Sequence, residues 1–404
     1  MKIVIFVENN SNGGMDSFLS NLINYWPHSE DELHLVANSD HPGWINLQSS
    51  ITADCKFISH NIRNAAFVVD HLFRWLPSPI RRLLRPFFKI FLYSYQLKNL
   101  SSLLMKIDGD RLLSVNGAYP GGETCRIASI AWRKLGKTRS IHNIHNFAIP
   151  PRFFFGWYEN WVDTQLEKSV HSFIGVSKCC SESLRLRPKL QESKKISFIY
   201  NGVCEPDTDE NSIIDLRKSL NINESPLCLM LANYEPRKGH AFLFKSFKRV
   251  SENLPDATLV VCGDGTSEEK VKVRKILHKI APNSKIHLLD FIAGGSSLIS
   301  QADVLLVASQ EMESFGLTVA EAMMRGVPVV STATGGLVEV VGIDGESGFS
   351  VEPTDTERFS YCISELISNT PLREEMSKKG KLRVVEMFSV ERMASEYAKL
   401  VRQG

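Results

Sequence analysis

The sequence predicts an α/β protein built from two doubly wound domains. Short apolar runs bounded by Gly, Asn or Asp alternate with longer segments of helical periodicity almost to the end of the chain. This alternation is typical of parallel sheets covered by helices on both faces. Eleven strand-like runs are too many for one small sheet, and 404 residues with 43% hydrophobic content suffice for two ordinary domains.

The elements follow from these runs in chain order. In the first half, the predicted strands are 2–7, 33–37, 111–115, 139–145, 172–176 and 196–200. In the second half they are 227–232, 258–262, 285–289, 304–307 and 327–330. Apolar residues at helical spacing predict helices at 15–25, 157–170, 239–253, 267–280, 317–325 and 389–402.

The polar segment 201–212, which carries Gly and Pro, lies almost at the midpoint of the chain. It predicts an N-terminal domain over 1–200 and a C-terminal domain over 201–388, with the final helix, about 389–404, packing back on the first domain. Open parallel sheets bind ligands at the carboxyl ends of their strands. Two such domains facing each other predict a ligand cleft between them.

Composition excludes several classes of protein. A net charge of +2 and 23% charged residues argue against disorder and against a strongly basic nucleic-acid binder. Eight Cys without a CxxC pair indicate a reduced, cytosolic protein. The apolar run at the N-terminus is too short for a signal peptide, and no stretch of 18 apolar residues free of charge predicts a membrane span.

The net charge is divided unequally along the chain. Residues 1–200 contain 24 Lys and Arg against 16 Asp and Glu, a balance of +8, which leaves 23 against 29, or −6, for residues 201–404. The two halves are therefore expected to face different partners.

The most informative segment is 302–337, with the sequence ADVLLVASQEMESFGLTVAEAMMRGVPVVSTATGGL. Glu313 falls in the loop after a predicted strand, and Glu321 falls on the second turn of the next helix. The backbone N–H groups of Gly316, Leu317 and Thr318 would be unsatisfied at the start of that helix, which attracts phosphate. On spacing alone, an acidic residue before a helix and a solvated helix position explain the two glutamates equally well.

The segment resembles the signature of family 4 of the retaining glycosyltransferases, whose fold is called GT-B. The residues that match in order are Ser309, Glu313, Phe315, Gly316, Glu321, Gly326, Pro328, Val329, Gly335 and Gly336. The resemblance covers nearly the full length, because further family motifs match at Gly13 and Gly14, Ser177, 198–203, Lys238 and Gly239, and Gly263 and Gly265.

This resemblance implies a retaining glycosyltransferase that moves a sugar from a nucleotide diphosphate donor, UDP-linked by preference, to a glycan or lipid-linked acceptor. The implied setting is bacterial surface polysaccharide synthesis of the O-antigen, capsule or lipopolysaccharide type. The implied catalytic residues are Glu313, His145 and Lys238. The implied donor-binding residues are Gly14, Asn233, Arg237, Lys238, Gly263, Phe315, Gly316, Leu317, Thr318 and Glu321.

Each implied role has a chemical reason. Lys238 and Arg237 would neutralise the charge that grows on the departing diphosphate. Glu313 would stabilise the positive charge at the anomeric carbon, and Glu321 would bind the ribose hydroxyls. The family usually carries an Arg five or six positions before the Lys, whereas Asn233 stands at the five-residue position here. Whether Arg237 substitutes for that Arg stays open at this point.

The acceptor side is predicted in the first half. His142 and His145 lie near a strand end, and His145 matches the family histidine better, although a lone His is more often structural. The loop VNGAYPGG resembles one in polysaccharide-assembling members, so Asn116, Tyr119 and Gly121 are predicted to border the acceptor. A plain Pro-Gly turn is the alternative.

A basic segment without acids runs from 71 to 107, with bulky apolar residues interleaved. Such a mixture suits a helix lying in an anionic membrane interface, on the inner face of the cell membrane. The interface residues would be Arg74, Arg81, Arg82, Arg85 and Lys89. A core helix with a solvated basic face explains the segment equally well.

No metal or other cofactor is expected, because the DxD-like triplets 108–110 and 207–209 lack a suitable context. Two alternative functions share the architecture. One is a nucleotide-sugar epimerase of the same fold, and the other is a non-catalytic nucleotide-sugar-binding scaffold.

Overall fold

The computed structural model describes residues 1–10, 13–117, 119–206, 214–222, 224–292 and 294–403. The chain divides into two compact units. Unit 1 comprises Met1–Gly202 and Val390–Gly404, and unit 2 comprises Val203–Ser389. Among the described residues, no helix has the length and apolar character that crossing a membrane requires.

Unit 1 is a seven-stranded parallel sheet with helices between its strands. Its strands are β1 (Lys2–Glu8), β2 (Glu32–Asn38), β3 (Cys55–His60), β4 (Arg111–Asn116), β5 (Ser140–Ile144), β6 (Val170–Gly175) and β7 (Ile196–Phe198). Its first seven helices are α1 (Gly14–Asn24), α2 (Trp44–Ser50), α3 (Ala65–Leu72), α4 (Ser78–Ile107), α5 (Glu123–Lys134), α6 (Gly156–Ser169) and α7 (Lys178–Glu182).

Unit 2 is a six-stranded parallel sheet of the same kind. Its strands are β8 (Leu227–Leu231), β9 (Thr258–Cys262), β10 (Ile286–Leu289), β11 (Val304–Val307), β12 (Val329–Thr332) and β13 (Phe349–Val351). Its helices are α8 (Leu216–Ser219), α9 (His240–Asn253), α10 (Ser267–Ile280), α11 (Leu317–Met324), α12 (Gly336–Val341), α13 (Thr356–Ser368) and α14 (Thr370–Met387).

The central strands explain the stability of both sheets. Ile3, Val4, Ile5, Phe6 and Val7 of β1 are all fully buried. Both faces of a doubly wound parallel sheet are covered, so a continuous apolar run can be buried completely. Each such side chain contributes about 1.5–3 kcal/mol relative to leaving it exposed.

The last helix, α15 (Val390–Gln403), belongs to unit 1. Its buried Tyr397 accepts a hydrogen bond from Asn143 Nδ2 to its hydroxyl at 2.6 Å and meets the ring of Phe18 edge-on at 5.6 Å. Arg402 forms an ion pair with Asp31 at 3.0 Å. The helix therefore completes the core of a unit whose other residues precede unit 2 in the chain.

The strand order determines which loops lie next to a ligand-binding crevice. In unit 1 the order is β3-β2-β1-β4-β5-β6-β7, and in unit 2 it is β10-β9-β8-β11-β12-β13. The direction of winding reverses between β1 and β4 and between β8 and β11. Such switch points leave a crevice at the carboxyl ends of the two strands, where sheets of this class bind ligands.

All eleven predicted strands are present, at the predicted places and with shifts of a few residues at their ends. The prediction missed β3 and β13, which are the edge strands at one side of each sheet. It also omitted several helices, among them α5 and α13. The basic segment 71–107, which both interpretations of the sequence treated as helical, contains the 30-residue α4 with Pro86 inside it.

Candidate functional site

Lys238 and Glu313 meet at the switch point of unit 2. Lys238 follows β8 and Glu313 follows β11, and Lys238 Nζ lies 2.6 Å from Glu313 Oε2. Ser309 Oγ donates to the same carboxylate oxygen at 3.2 Å. Two residues that are 75 positions apart in the chain therefore form one polar centre at the carboxyl end of the sheet.

Glycines allow the loops that carry this pair to approach closely. Gly239, which adopts a left-handed φ of 75° beside Lys238, lies so near β11 that a Cβ would be 1.8 Å from the carbonyl oxygen of Ala308. Gly336 donates its N–H to the carbonyl oxygen of Glu313 at 2.7 Å, and a Cβ there would be 2.5 Å from the Ser314 oxygen. The matched glycines thus fix the backbone positions of both charged residues.

A second cation stands beside the pair. Arg237 Nη1 lies 3.8 Å from Glu313 Oε2, while its Nε donates to Glu235 Oε2 at 2.6 Å. Burial acts to raise the pKa of Glu235, but the hydrogen bonds from Arg237 and Asn233 and the charges of Arg237 and Lys238 together outweigh it, so the pKa is lowered. Asn233 Nδ2 donates to Glu235 Oε1 at 3.4 Å. Arg237 therefore lies beside the Lys238–Glu313 pair, whereas Asn233 contacts Glu235.

One small cavity of unit 2 brings together Lys238, Ser309, Glu313, Gly316 and Thr318. Gly316 precedes α11 with a φ of 100°, so the cavity adjoins the N-terminus of that helix. The first N–H groups of a helix lack partners within it and carry partial positive charge. A cation, a helix N-terminus and a carboxylate thus border one small cavity, and the first two attract anions such as phosphate.

The remaining predicted donor residues have other positions. Glu321 is partly buried on the second turn of α11, and Leu317 is the first residue of that helix. Phe315 is buried, with its ring 5.5 Å from that of Phe388, so its side chain is part of the core. Gly263 packs against β8, where a Cβ would be 1.9 Å from the carbonyl oxygen of Ala232. Gly14 is the first residue of α1 in unit 1.

His142 lies inside the sheet of unit 1, and its role as an acceptor contact stays a prediction. All five residues of β5 are buried, because helices cover both faces of this strand. The His142 ring nitrogens lie 3.3 Å from Asn116 Nδ2 and 3.3 Å from Ser129 Oγ. Asn116 is also buried, and its Nδ2 donates to the carbonyl oxygen of Gly121 at 3.4 Å. Asn116 therefore supports the loop after β4.

Tyr119 is likewise a structural residue. Its hydroxyl donates to Asp163 Oδ1 at 2.6 Å, and the side chain is buried. Asp163 also accepts from Arg187 Nε at 2.8 Å, and Arg187 Nη1 donates to Glu159 Oε2 at 2.9 Å. The Tyr119 hydroxyl faces this network, and the prediction that Tyr119 borders an acceptor stays a prediction.

His145 lies just beyond β5, at the carboxyl edge of the sheet. Its ring meets that of Phe18 edge-on at 4.4 Å, and its backbone N–H donates to the carbonyl oxygen of Asn116 at 2.9 Å. Its Nε2 is buried without a hydrogen-bond partner among the described residues. Burial lowers the pKa of His145, as it does that of His142, to about 3.

The two histidines predict acid lability of unit 1. The unfolded chain protonates them near pH 6.5, whereas the folded protein keeps them neutral down to about pH 3. The unfolded state therefore binds more protons between these values, and the free energy of unfolding falls as the pH is lowered, by roughly 1 kcal/mol per pH unit for each histidine.

Urea unfolding at a series of pH values measures this slope. His142→Gln should flatten it, whereas the same change at the exposed His171 should leave it unchanged. A slope that is the same in the wild type and in His142→Gln would contradict the assignment.

The basic residues of 71–107 have different environments in the structure. Arg81 Nη1 and Arg85 Nη2 pair with Asp70 at 3.0 and 2.6 Å, and Lys89 is partly buried with Nζ 3.8 Å from Glu123 Oε2. Arg74 and Arg82 are exposed. Lys89 is thus the least exposed of the basic residues predicted as membrane contacts, and that role stays a prediction for all five.

The carboxylates of the DxD-like triplet 108–110 are engaged by other groups of the chain. Asp108 Oδ1 accepts from Lys137 Nζ at 2.6 Å, and Asp110 Oδ2 accepts from the Lys2 N–H at 2.8 Å. The other triplet, 207–209, lies outside the described residues. Within the described ranges no group of three or more His, Cys, Asp or Glu is suited to hold a metal ion. Metal independence stays a prediction.

Residues 212–383 match the family model "Glycosyl transferases group 1". This segment is a glycosyl transferases group 1 domain. The group 1 domain holds every residue of the Lys238–Glu313 centre, and it covers most of unit 2. The family resemblance that its motifs predicted is confirmed.

Two relatives show where the similarity lies. N-acetyl-alpha-D-glucosaminyl L-malate synthase of Bacillus anthracis is 27% identical over 209 residues, which is 52% of this chain and 54% of the relative. Lipopolysaccharide 1,2-N-acetylglucosaminetransferase of Salmonella typhimurium is 28% identical over 211 residues, 50% of this chain and 55% of the relative. The chain thus spans about half the length of these relatives.

Solved structures extend the similarity to the whole fold. HepE of Anabaena in complex with UDP superimposes with a TM-score of 0.74 at 17% identity, covering 100% of both chains. HepE with UDP-glucose gives 0.72 at 16% identity, again over 100% of both chains. The predicted pair of doubly wound domains, the GT-B fold, is confirmed.

The sequence did not predict two sets of side-chain contacts that the structure shows. Ser309 matched the family motif, but its bond to Glu313 needed the strand end and the loop to be seen together. The buried Asp163 and Arg187 were missed because charged residues in a helix and in a loop normally indicate solvent. The spacing of Glu159 and Asp163, four residues apart on α6, was the available signal.

Proposed function

We propose that the protein is a retaining glycosyltransferase that takes a sugar from a nucleotide diphosphate donor, with UDP as the nucleotide. The observation that carries the proposal is the contact of Lys238 with Glu313 at the switch point of a group 1 domain. The complexes of HepE with UDP and UDP-glucose support the choice of UDP. The acceptor is a glycan or lipid-linked glycan of the surface polysaccharide type, in keeping with the lipopolysaccharide enzyme among the relatives.

The geometry suggests how the centre works. The Lys238 ammonium is paired with the Glu313 carboxylate. A diphosphate placed at the N-terminus of α11 would compete for that ammonium and for Arg237, which is 3.8 Å from the same carboxylate. Glu313, then released from the lysine, is positioned to stabilise positive charge on the sugar, while the two cations stabilise the departing diphosphate. The step needs no metal, because cations of the chain occupy the leaving-group side.

Thermal-shift measurements against a panel of nucleotide diphosphate sugars test the proposal. A donor that binds only the folded state raises its stability by about 2.7 kcal/mol at a hundred times its Kd. UDP and one UDP-sugar should raise the Tm, and EDTA should leave both the shift and transfer to an added glycan unchanged. No shift with any nucleotide would contradict the proposal.

Incubation with the donor alone separates the alternative functions. A glycosyltransferase leaves the sugar configuration of the donor intact and needs an acceptor for turnover, whereas an epimerase interconverts the donor by itself. Binding without turnover of either kind would indicate a scaffold.

We further propose that unit 1 docks on the inner face of the cell membrane. The residues Ile80, Leu83, Phe87 and Phe91 recur at helical spacing on α4, and all are exposed. The ring of Phe87 meets that of Phe155 edge-on at 4.8 Å, which joins this face to the segment 153–157. We call this set, with the exposed Phe153, Phe154 and Trp157, the aromatic surface.

The aromatic surface has the chemistry of a bilayer contact. Phe91, Phe153 and Trp157 are 77%, 94% and 65% exposed, and contiguous apolar surface of this kind marks an interaction site. Aromatic rings favour the membrane interface. The exposed Arg74 and Arg82 lie near it in the chain, and each basic residue near an anionic leaflet contributes about 1 kcal/mol. Apolar rings and cations together match a surface that is apolar and anionic.

Liposome flotation measures this docking. The protein should float with vesicles that contain anionic lipid and remain in solution with neutral ones. Phe91→Ser combined with Trp157→Ser, or Arg74→Glu combined with Arg82→Glu, should abolish flotation. Leu382→Ser, which changes an exposed apolar residue of unit 2, is the matched control. Flotation that survives both double substitutions would contradict the proposal.

A further inference from the structure

A second cavity, of about 440 Å³, lies in unit 1. It is bordered by Glu8 and Asn9 at the end of β1 and by Gly117 and Gly121 after β4. These two strands form the switch point of the sheet, where doubly wound proteins bind ligands. The volume falls in the range of about 300–1,000 Å³ that small-molecule sites occupy. None of the residues of the Lys238–Glu313 centre lines this cavity.

The two carboxylates in the cavity wall hold the unit together. Glu8 Oε2 accepts from the Thr124 N–H at 2.7 Å and from its hydroxyl at 2.6 Å, and Glu8 Oε1 accepts from Asn64 Nδ2 at 2.7 Å. Glu123 Oε2 accepts from the Ala65 N–H at 3.4 Å. Glu8 and Glu123 thus bind the first turns of α5 and α3, where acidic groups are favourable.

The cations in the wall are less completely paired. Lys89 Nζ comes no closer than 3.8 Å to its carboxylate partner, Glu123 Oε2, and it donates no hydrogen bond to any described residue. Burial lowers the pKa of Lys89 and raises that of Glu123, so each charge of this pair is poorly compensated. A buried ammonium without a good partner is costly.

Arg152 stands in a similar position at the cavity. Its Nε is 4.0 Å from Glu159 Oε1, and Arg187 already engages Glu159 at 2.9 Å. Arg85, the third cation of the wall, shares its partner Asp70 with Arg81. Three basic side chains therefore border one cavity, and in each case the nearest carboxylate is distant or shared.

We infer that this cavity binds an oxyanion, a carboxylate or a phosphate, carried by the sugar acceptor, with Lys89 and Arg152 as its main ligands. The inference rests on the proposed transferase function, and it assigns the acceptor an acidic character. Neutral parts of the same acceptor would meet the amides of Asn9, Asn10 and Asn64 in the wall, which bind hydroxyl groups. Lys89 is thereby a binding residue for substrate rather than a membrane contact.

Ligand-detected NMR on the full chain, with UDP added in excess to occupy the donor site, tests the inference. The probes are methyl glucuronide, glycerol phosphate and the neutral methyl glucoside. At least one anionic probe should bind, and the glucoside should bind more weakly by about tenfold or more, which corresponds to the loss of one charge-assisted hydrogen bond. Binding of glucuronide alone identifies an acidic sugar as the source of the anion, and binding of glycerol phosphate alone identifies a phosphoryl group.

Two variants separate binding from folding. Lys89→Met keeps the length of a partly buried side chain, and Arg152→Gln alters a side chain that is nearly half exposed, so its fold should be retained. The affinity of both variants for the anionic probe should fall by about tenfold, while their affinity for UDP should be normal. Lys98→Met, an exposed position on the same helix, should bind it like the wild type.

Three results would overturn the inference: equal affinity for the glucoside, undiminished binding by both variants, or normal UDP binding with no anionic probe bound. Loss of UDP binding in the wild type would instead refute the proposed transferase function.

Discussion

Lys238→Met is expected to reduce kcat/KM for sugar transfer by about 10²–10³, with the fold unchanged. Lys238 supplies the cation nearest to the carboxylate of the centre, at 2.6 Å, and a diphosphate leaving group requires that charge in place before the bond breaks. Arg237 is 3.8 Å from the same oxygen, so it should preserve part of the activity. Steady-state kinetics with the UDP-sugar identified by thermal shift give the measurement.

The control is Lys248→Met, which removes the same charge from an exposed position on α9. It should leave kcat/KM within a factor of about two, since a surface charge at that distance is screened. Glu313→Gln provides a second comparison: it should reduce turnover while UDP binds as well or better, because Lys238 no longer has a competing carboxylate. Near-normal turnover of both Lys238→Met and Glu313→Gln would contradict the site.

Arg187→Met is expected to lower the free energy of unfolding of unit 1 by about 3–5 kcal/mol. Arg187 is fully buried, and it pairs with Asp163 at 2.8 Å and with Glu159 at 2.9 Å. Without the guanidinium, the two buried carboxylates have no cation beside them. The free-energy cost of leaving them uncompensated is larger than the stabilisation that the ion pair itself provides. Calorimetry should show a Tm lower by roughly 10 °C for that unit.

Arg185→Met is the matched control, two residues away. Arg185 pairs with Glu182 on the surface at 2.7 Å, and such pairs contribute about 0–1 kcal/mol. An equal loss of stability in the two variants would show that the buried network is not the cause. Because Tyr119 donates to Asp163, Arg187→Met should also loosen the loop after β4 and weaken acceptor binding.

The fold was predictable where the sequence carries a strong periodic signal. The core strands β1, β8 and β11 are continuous apolar runs, and each was predicted at its place. The edge strand β3 has an uneven mixture of partly buried and exposed residues, because only its inner side pairs with the sheet. In α4, Pro86 and the exposed apolar face both conflict with the usual pattern of a surface helix.

The site was predictable where a motif follows a strand directly. Lys238 and Glu313 each come shortly after a core strand, and strand ends in a parallel sheet meet at one edge. His142 was predicted on the acceptor side because it lies near a strand end, and Tyr119 because its loop resembles one in polysaccharide-assembling members of the family. Their burial depends on helices that pack from distant parts of the chain, and Asp163 of α6, for example, is 44 residues from Tyr119.

The place of α15 in unit 1 has a consequence for biosynthesis. Tyr397 and Arg402 reach residues of the first 150 positions, so unit 1 lacks part of its core until residues 390–403 have left the ribosome. Unit 2, which is continuous in sequence, is complete earlier. The nascent chain must therefore hold an unfinished first unit, with the pocket for α15 open, throughout synthesis of the second. This interval is the natural point for chaperone binding, and chains truncated after residue 389 should be recovered mainly as aggregates.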